Sequence, residues 1–135
     1  MKANADWFEL ATRFGLFSAE SHFLLAISVP HPKAVDDTDV EAAWGLVELL
    51  DGWDIMGAGC AAGITGGPFG HPAFVMSALD GTVFLQGTVW QDSIGTCVLP
   101  SPNRVQSLRD VARLNIGDSY RTAAENEDTI AWLAS

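Results

Sequence analysis

AFVMSALDGTVFLQGTVW, residues Ala73 to Trp90, is the stretch that decides the fold. Two apolar runs flank Asp80-Gly81, a dipeptide suited to a two-residue type I′ turn between antiparallel strands. In that register Phe74, Met76, Ala78, Val83, Leu85 and Val89 share one face. Val75, Leu79, Phe84 and Trp90 make the second face partly apolar, which predicts that something covers it. A further strand over 94–99, ending at Pro100, extends the hairpin into a meander.

Towards the N-terminus, HFLLAISV (22–29) reads as a buried strand, with Phe23, Leu25, Ile27 and Val29 on one face and Pro30 and Pro32 as its stop. Thr38-Asp39-Val40-Glu41 matches a capping box, and Val40, Ala43, Trp44, Val47 and Leu50 follow at helical spacing. This predicts a helix over 39–51, closed by Asp51-Gly52, and a second strand beginning at Trp53 would complete a βαβ unit. Asp6-Trp7-Phe8-Glu9 predicts another capping box, for a first helix ended by Gly15. Beyond the meander, Ser101-Pro102 reads as N-cap and first residue of a helix with Val105, Leu108, Val111 and Ala112 inward and Asn115 to Gly117 as its end. Thr122 to Glu125 opens a last helix carrying Ile130, Trp132 and Leu133. The expectation is one α+β domain over 1–135. It has a mainly antiparallel sheet of about four or five strands, a βαβ start followed by a meander, and helices mostly on one face.

Charge narrows the function classes. Seventeen acidic residues against seven basic ones give a net charge of −10. No Lys or Arg lies between Lys33 and Arg104, whereas that stretch holds Asp36, Asp37, Asp39, Glu41, Glu48, Asp51, Asp54, Asp80 and Asp92. Such a field repels nucleic acid and anionic membrane and attracts basic proteins. With no apolar run of signal-peptide or membrane-span length, the expected compartment is the cytoplasm.

DIMGAGCAAGITGGPFGHP (54–72) contains the letters of a dinucleotide fingerprint at Gly57, Gly59 and Ala62. A dinucleotide site needs a long helix after those glycines, and Gly66-Gly67-Pro68 forbids one. No lysine follows, so the stretch is no nucleotide P-loop either, and no cofactor is expected. The reading adopted places Gly57 and Gly59 in a strand that another group approaches closely. Residues 63–72 then form a loop, with Gly66, Gly67, Phe69 and His71 as a possible lid over a small-molecule site. Cys60 and His71 lack the cation and the orienting partner of a nucleophile pair, and both cysteines, Cys60 and Cys97, read as small buried side chains. His31 and His71 lack the spacing that presents two metal ligands together, so neither catalytic nor metal residues are assigned.

On a helix over 39–51, Glu41, Gly45 and Glu48 would lie opposite the apolar stripe, with Asp37 just before its start. A glycine between carboxylates admits a partner's arginine, so Asp37, Glu41, Gly45 and Glu48 form the expected protein-binding surface. In size, charge and layout the chain resembles, as a class, bacterial immunity proteins. That resemblance implies a protein that neutralises a toxin; the acidic field makes the expected partner another, basic protein, and the chain is expected to be a monomer or homodimer. Secretion chaperones are similar in size and acidity, but their strand-rich centre differs from the layout expected here. A ligand-binding or small catalytic domain is the alternative from another class.

Overall fold

The computed structural model describes residues 2–30, 40–91 and 93–135. The chain divides into two compact units, Met1–Pro100 and Ser101–Ser135. The first contains helix α1 (Lys2–Phe14) and strands β1 (His22–Pro30), β2 (Val40–Glu48), β3 (Phe74–Ser77), β4 (Val83–Trp90) and β5 (Ser93–Pro100). These strands form one sheet in the order β2-β1-β3-β4-β5, and every neighbouring pair is antiparallel. The architecture is α+β, as the alternation of β1 and of the meander predicts.

Register assigns the faces. Phe23 and Leu25 of β1, Phe74 and Met76 of β3, and Val83 and Leu85 of β4 are all buried on one side of the sheet. The buried Trp7 and Ala11 of α1 and the following Leu16 belong to the same core. Trp7 sits edge-on to Phe17 and Trp53, at centroid distances of 5.8 and 5.2 Å, and Phe8 stacks on Trp53 at 5.1 Å. Each large side chain fully buried in this way contributes about 1.5–3 kcal/mol.

The β3–β4 register is the expected one, with Met76 opposite Leu85 and Ser77 opposite Phe84. Its turn is not the expected type I′. Ala78 N–H donates to Val83 O and Gly81 N–H to Ala78 O, both at 3.0 Å, so the loop spans four residues. Gly81 alone of the Asp80-Gly81 pair has positive φ, at 71°. Asp80 acts instead through its side chain, which accepts from Thr82 N–H at 3.0 Å and Thr82 Oγ1 at 2.6 Å.

The βαβ start is corrected. Residues 40–48 are strand, and all nine pair antiparallel with β1, from His22 opposite Glu48 to Pro30 opposite Val40. Strand pairing with the apolar β1 overrides the helical spacing of Val40, Ala43, Trp44 and Val47. Gly45, which weakens a helix by about 1 kcal/mol, fits the ladder opposite Leu25. Thr38 and Asp39 lie outside the described residues. No strand begins at Trp53; Gly57 and Gly59 lie in a single helical turn, Ile55–Gly59. Helix α1 also begins earlier than expected, so Asp6 is interior and accepts from Lys2 Nζ at 2.6 Å instead of capping. Gly15 ends α1 with φ 78°, as expected.

The second unit holds helices α2 (Gln106–Asn115) and α3 (Ala123–Ala134). Ser101-Pro102 leads into a short 3₁₀ turn, Pro102–Arg104, without a side-chain cap, and α2 starts only after Val105. Thr122 and Glu125 form the expected capping box: Thr122 Oγ1 accepts from Glu125 N–H at 3.2 Å and Glu125 accepts from Thr122 N–H at 2.6 Å. Neither helix has a fully buried side chain. Polar ties compensate: Arg109 donates to Asn103 O at 2.7 Å and Leu133 O at 2.6 Å, and Arg121 to Glu125 O at 2.9 Å. No helix among the described residues is long and apolar enough to cross a membrane.

Candidate functional site

The sheet has a second face, made by the side chains that alternate with the core. On β1 these are His22, Leu24, Ala26 and Ser28, and their partners on β2 are Glu48, Leu46, Trp44 and Ala42. Val75 of β3, Phe84 of β4 and Leu99 of β5 continue the face. Trp44 sits opposite the small Ala26, and its ring reaches Phe84 with centroids 6.1 Å apart, across β1 and β3. Trp44 nevertheless remains 49 % exposed and Leu46 65 %. Two large apolar side chains this open on one edge strand form an exposed apolar patch.

Residues 40–48 are a strand, so the helical face expected for Glu41, Gly45 and Glu48 is not formed. Gly45 and Glu48 stand three residues apart on a strand, so they point to opposite sides of the sheet. Gly45 faces the α1 side, where a Cβ would lie 3.4 Å from Ile27 Cδ1. Glu48 is exposed on the open face, Glu41 pairs with Val29 in register, and Asp37 lies outside the described residues. The signal missed in the sequence was the other alternation, Trp44 and Leu46 flanking Gly45 on one face.

The glycine-rich stretch is closed on itself. Asp54 caps the Ile55–Gly59 turn, accepting from Gly57 N–H at 3.0 Å and Ala58 N–H at 2.9 Å. The bond from Ala58, then that from Asn4 Nδ2 at 2.6 Å, holds the Asp54 carboxyl below its ordinary pKa. A carboxylate thus occupies the donors that a dinucleotide phosphate would require. Thr65 Oγ1 donates to Ile55 O at 2.6 Å and the buried Cys60 thiol to the same oxygen at 3.1 Å. Gly66 passes so close that a Cβ there would lie 2.3 Å from Cys60 O. That close approach requires bare backbone at Gly66.

Of the loop residues singled out, Gly66 and Gly67 are half-buried, while His71 and the tip residue Phe69 are exposed. The loop is tied by a bridge between Gly66 and Pro72 and by Gly67 N–H donating to His71 O at 2.8 Å. The Cys60 thiol lies within hydrogen-bond distance of Ile55 O, Thr65 O and Thr65 Oγ1, and among the described residues no bond joins it to His71. Cys97, expected to be buried, is exposed on β5. His31 lies outside the described residues, and no metal-ligating cluster occurs among those described. One groove, of about 800 Å³, is lined by Asn4, Phe8, Glu9, Arg13 and Trp53, and another, of about 490 Å³, includes Ile64 and Thr65 of the loop in its lining.

No family model matches the chain, and neither a curated protein nor a solved structure matches it.

Proposed function

We propose that the protein binds a basic partner protein and neutralises or modulates it, as immunity proteins and inhibitors do. The observation that carries this reading is the exposed Trp44 and Leu46 pair on the sheet's open face, within a stretch free of lysine and arginine from Ala34 to Asn103. Exposed aromatic and aliphatic anchors supply desolvation energy at interfaces. The carboxylates of that stretch would steer a cationic protein towards this unit and repel anionic competitors.

The test is affinity capture from the source organism, followed by association kinetics with the captured protein. Leu46→Ala is expected to speed dissociation, because it removes an apolar contact. Glu48→Lys is expected to slow association, with the difference shrinking as salt is added. A partner whose binding is unaffected by both changes would refute this placement of the surface. Recovery of a metabolite and no protein would replace the reading with a ligand-binding one.

A further inference from the structure

The edge of β2 says how such a partner would attach. Leu49 N–H donates to Ser21 O at 3.0 Å, one residue before the first ladder pair, His22 with Glu48. In antiparallel pairing, hydrogen-bonded residue pairs alternate with non-bonded ones. The unbroken register therefore aims the backbone of Val47, Gly45 and Ala43 at β1. It aims the N–H and C=O groups of Glu48, Leu46, Trp44 and Ala42 away from β1, towards the outer edge. Among the described residues β1 is the only strand beside β2.

Edge strands are normally blunted by lysine, proline, a bulge or a covering element. From Val40 to Glu48 there is no lysine, no proline and no slip of register. The residues that turn their backbone outwards also place Trp44 and Leu46 on the open face. A strand added here would gain ladder hydrogen bonds and apolar contact at once.

We infer that an extended, lysine- or arginine-bearing segment of the partner adds to β2 as a sixth strand. This inference rests on the protein-binding reading above. Charge selects the occupant. Residues 34–103 offer carboxylates and no Lys or Arg, so the added segment supplies the positive charge. A second copy of the chain is disfavoured. Residues 1–100 hold twelve acidic side chains against Lys2, Arg13 and Lys33, and edge pairing would bring two such units about 5 Å apart at the strands.

The probe is a blocked peptide of alternating lysine and valine, matched to β2 in length and titrated into the full chain. Amide shifts are expected along Ala42–Glu48, together with new exchange protection of the Ala42, Trp44, Leu46 and Glu48 amides. The same peptide with glutamate for lysine is expected not to bind. Leu46→Pro removes one outward donor where an edge strand tolerates proline, so the fold should persist. Its affinity for the lysine peptide should fall by about tenfold or more below that of Leu46→Ala, which loses the same side chain but keeps the donor. Equal binding by Leu46→Pro and Leu46→Ala would overturn the inference, as would shifts confined to Gly66–Pro72 or no binding at all. Concentration-dependent self-association that protects the same amides would assign the edge to a second copy and overturn the choice of occupant. Loss of the edge inference by these results leaves the protein-binding reading to the capture experiment, which fails separately if no protein partner is recovered.

Discussion

Replacing Gly66 by alanine tests whether the glycine-rich stretch exists for close backbone approach. A Cβ at Gly66 would lie 2.3 Å from Cys60 O and 2.8 Å from both Cys60 C and Cα. All three contacts are with backbone, so no side chain can swing away. Gly66 has no positive φ, so alanine meets no conformational penalty there. Overpacking of this kind costs about 1–3 kcal/mol. The stiffer unfolded chain returns about 0.4–1 kcal/mol, leaving a net loss of roughly 1–2 kcal/mol. Gly95 on β5 is the control, since nothing lies within 4 Å of its Cβ position and its φ is also not positive. There the entropic gain acts alone, and Gly95→Ala should be neutral or stabilising by up to about 1 kcal/mol. Urea denaturation followed by circular dichroism measures both variants against the unaltered chain. Equal stability of Gly66→Ala and the parent, or equal shifts in the two variants, would refute the reasoning.

Three further outcomes are expected. Val47→Pro should destabilise by more than about 2 kcal/mol, because it removes an inward ladder donor, whereas Leu46→Pro should stay within about 1 kcal/mol of the parent; thermal melts of the pair check the parity of β2. Asp80 is held below its ordinary pKa of 3.8 by hydrogen bonds from the Thr82 hydroxyl and then the Thr82 N–H. Its stabilisation is therefore complete above the unfolded value and is lost as pH falls through the folded one. Asp80→Asn, which cannot titrate, should flatten the melting temperature's dependence on pH in that acid range. Calorimetric titration with NAD and with ATP should show no binding, since Asp54 already occupies the helical-turn donors; micromolar binding of either would contradict that assignment.

The meander was legible because its information is local. Asp80-Gly81 marks the reversal, and Met76 and Leu85 fall opposite each other whether the loop holds two residues or four. The identity of β2 was not legible, because Val40, Ala43, Trp44 and Val47 satisfy a helix while the same residues also suit a strand with apolar groups on both faces. What decided between them was β1, whose nine residues pair with β2 throughout. The helical arrangement expected for the candidate site went with it. A period of two separates Gly45 from Glu48, which a helical wheel had placed together, and brings Trp44 and Leu46 onto one surface. The short helical turn at Ile55–Gly59 was hidden for another reason. Its stability comes from Asp54 at one end and from Cys60 and Thr65 converging on Ile55 O, contacts that only the closed loop creates.

Hydrogen–deuterium exchange of the protein with and without its captured partner tests the central claim most directly. The account predicts partner-dependent protection along Ala42–Glu48, strongest at the outward amides of Trp44 and Leu46. Protection confined to Gly66–Pro72, with β2 exchanging as it does in the free protein, would contradict it.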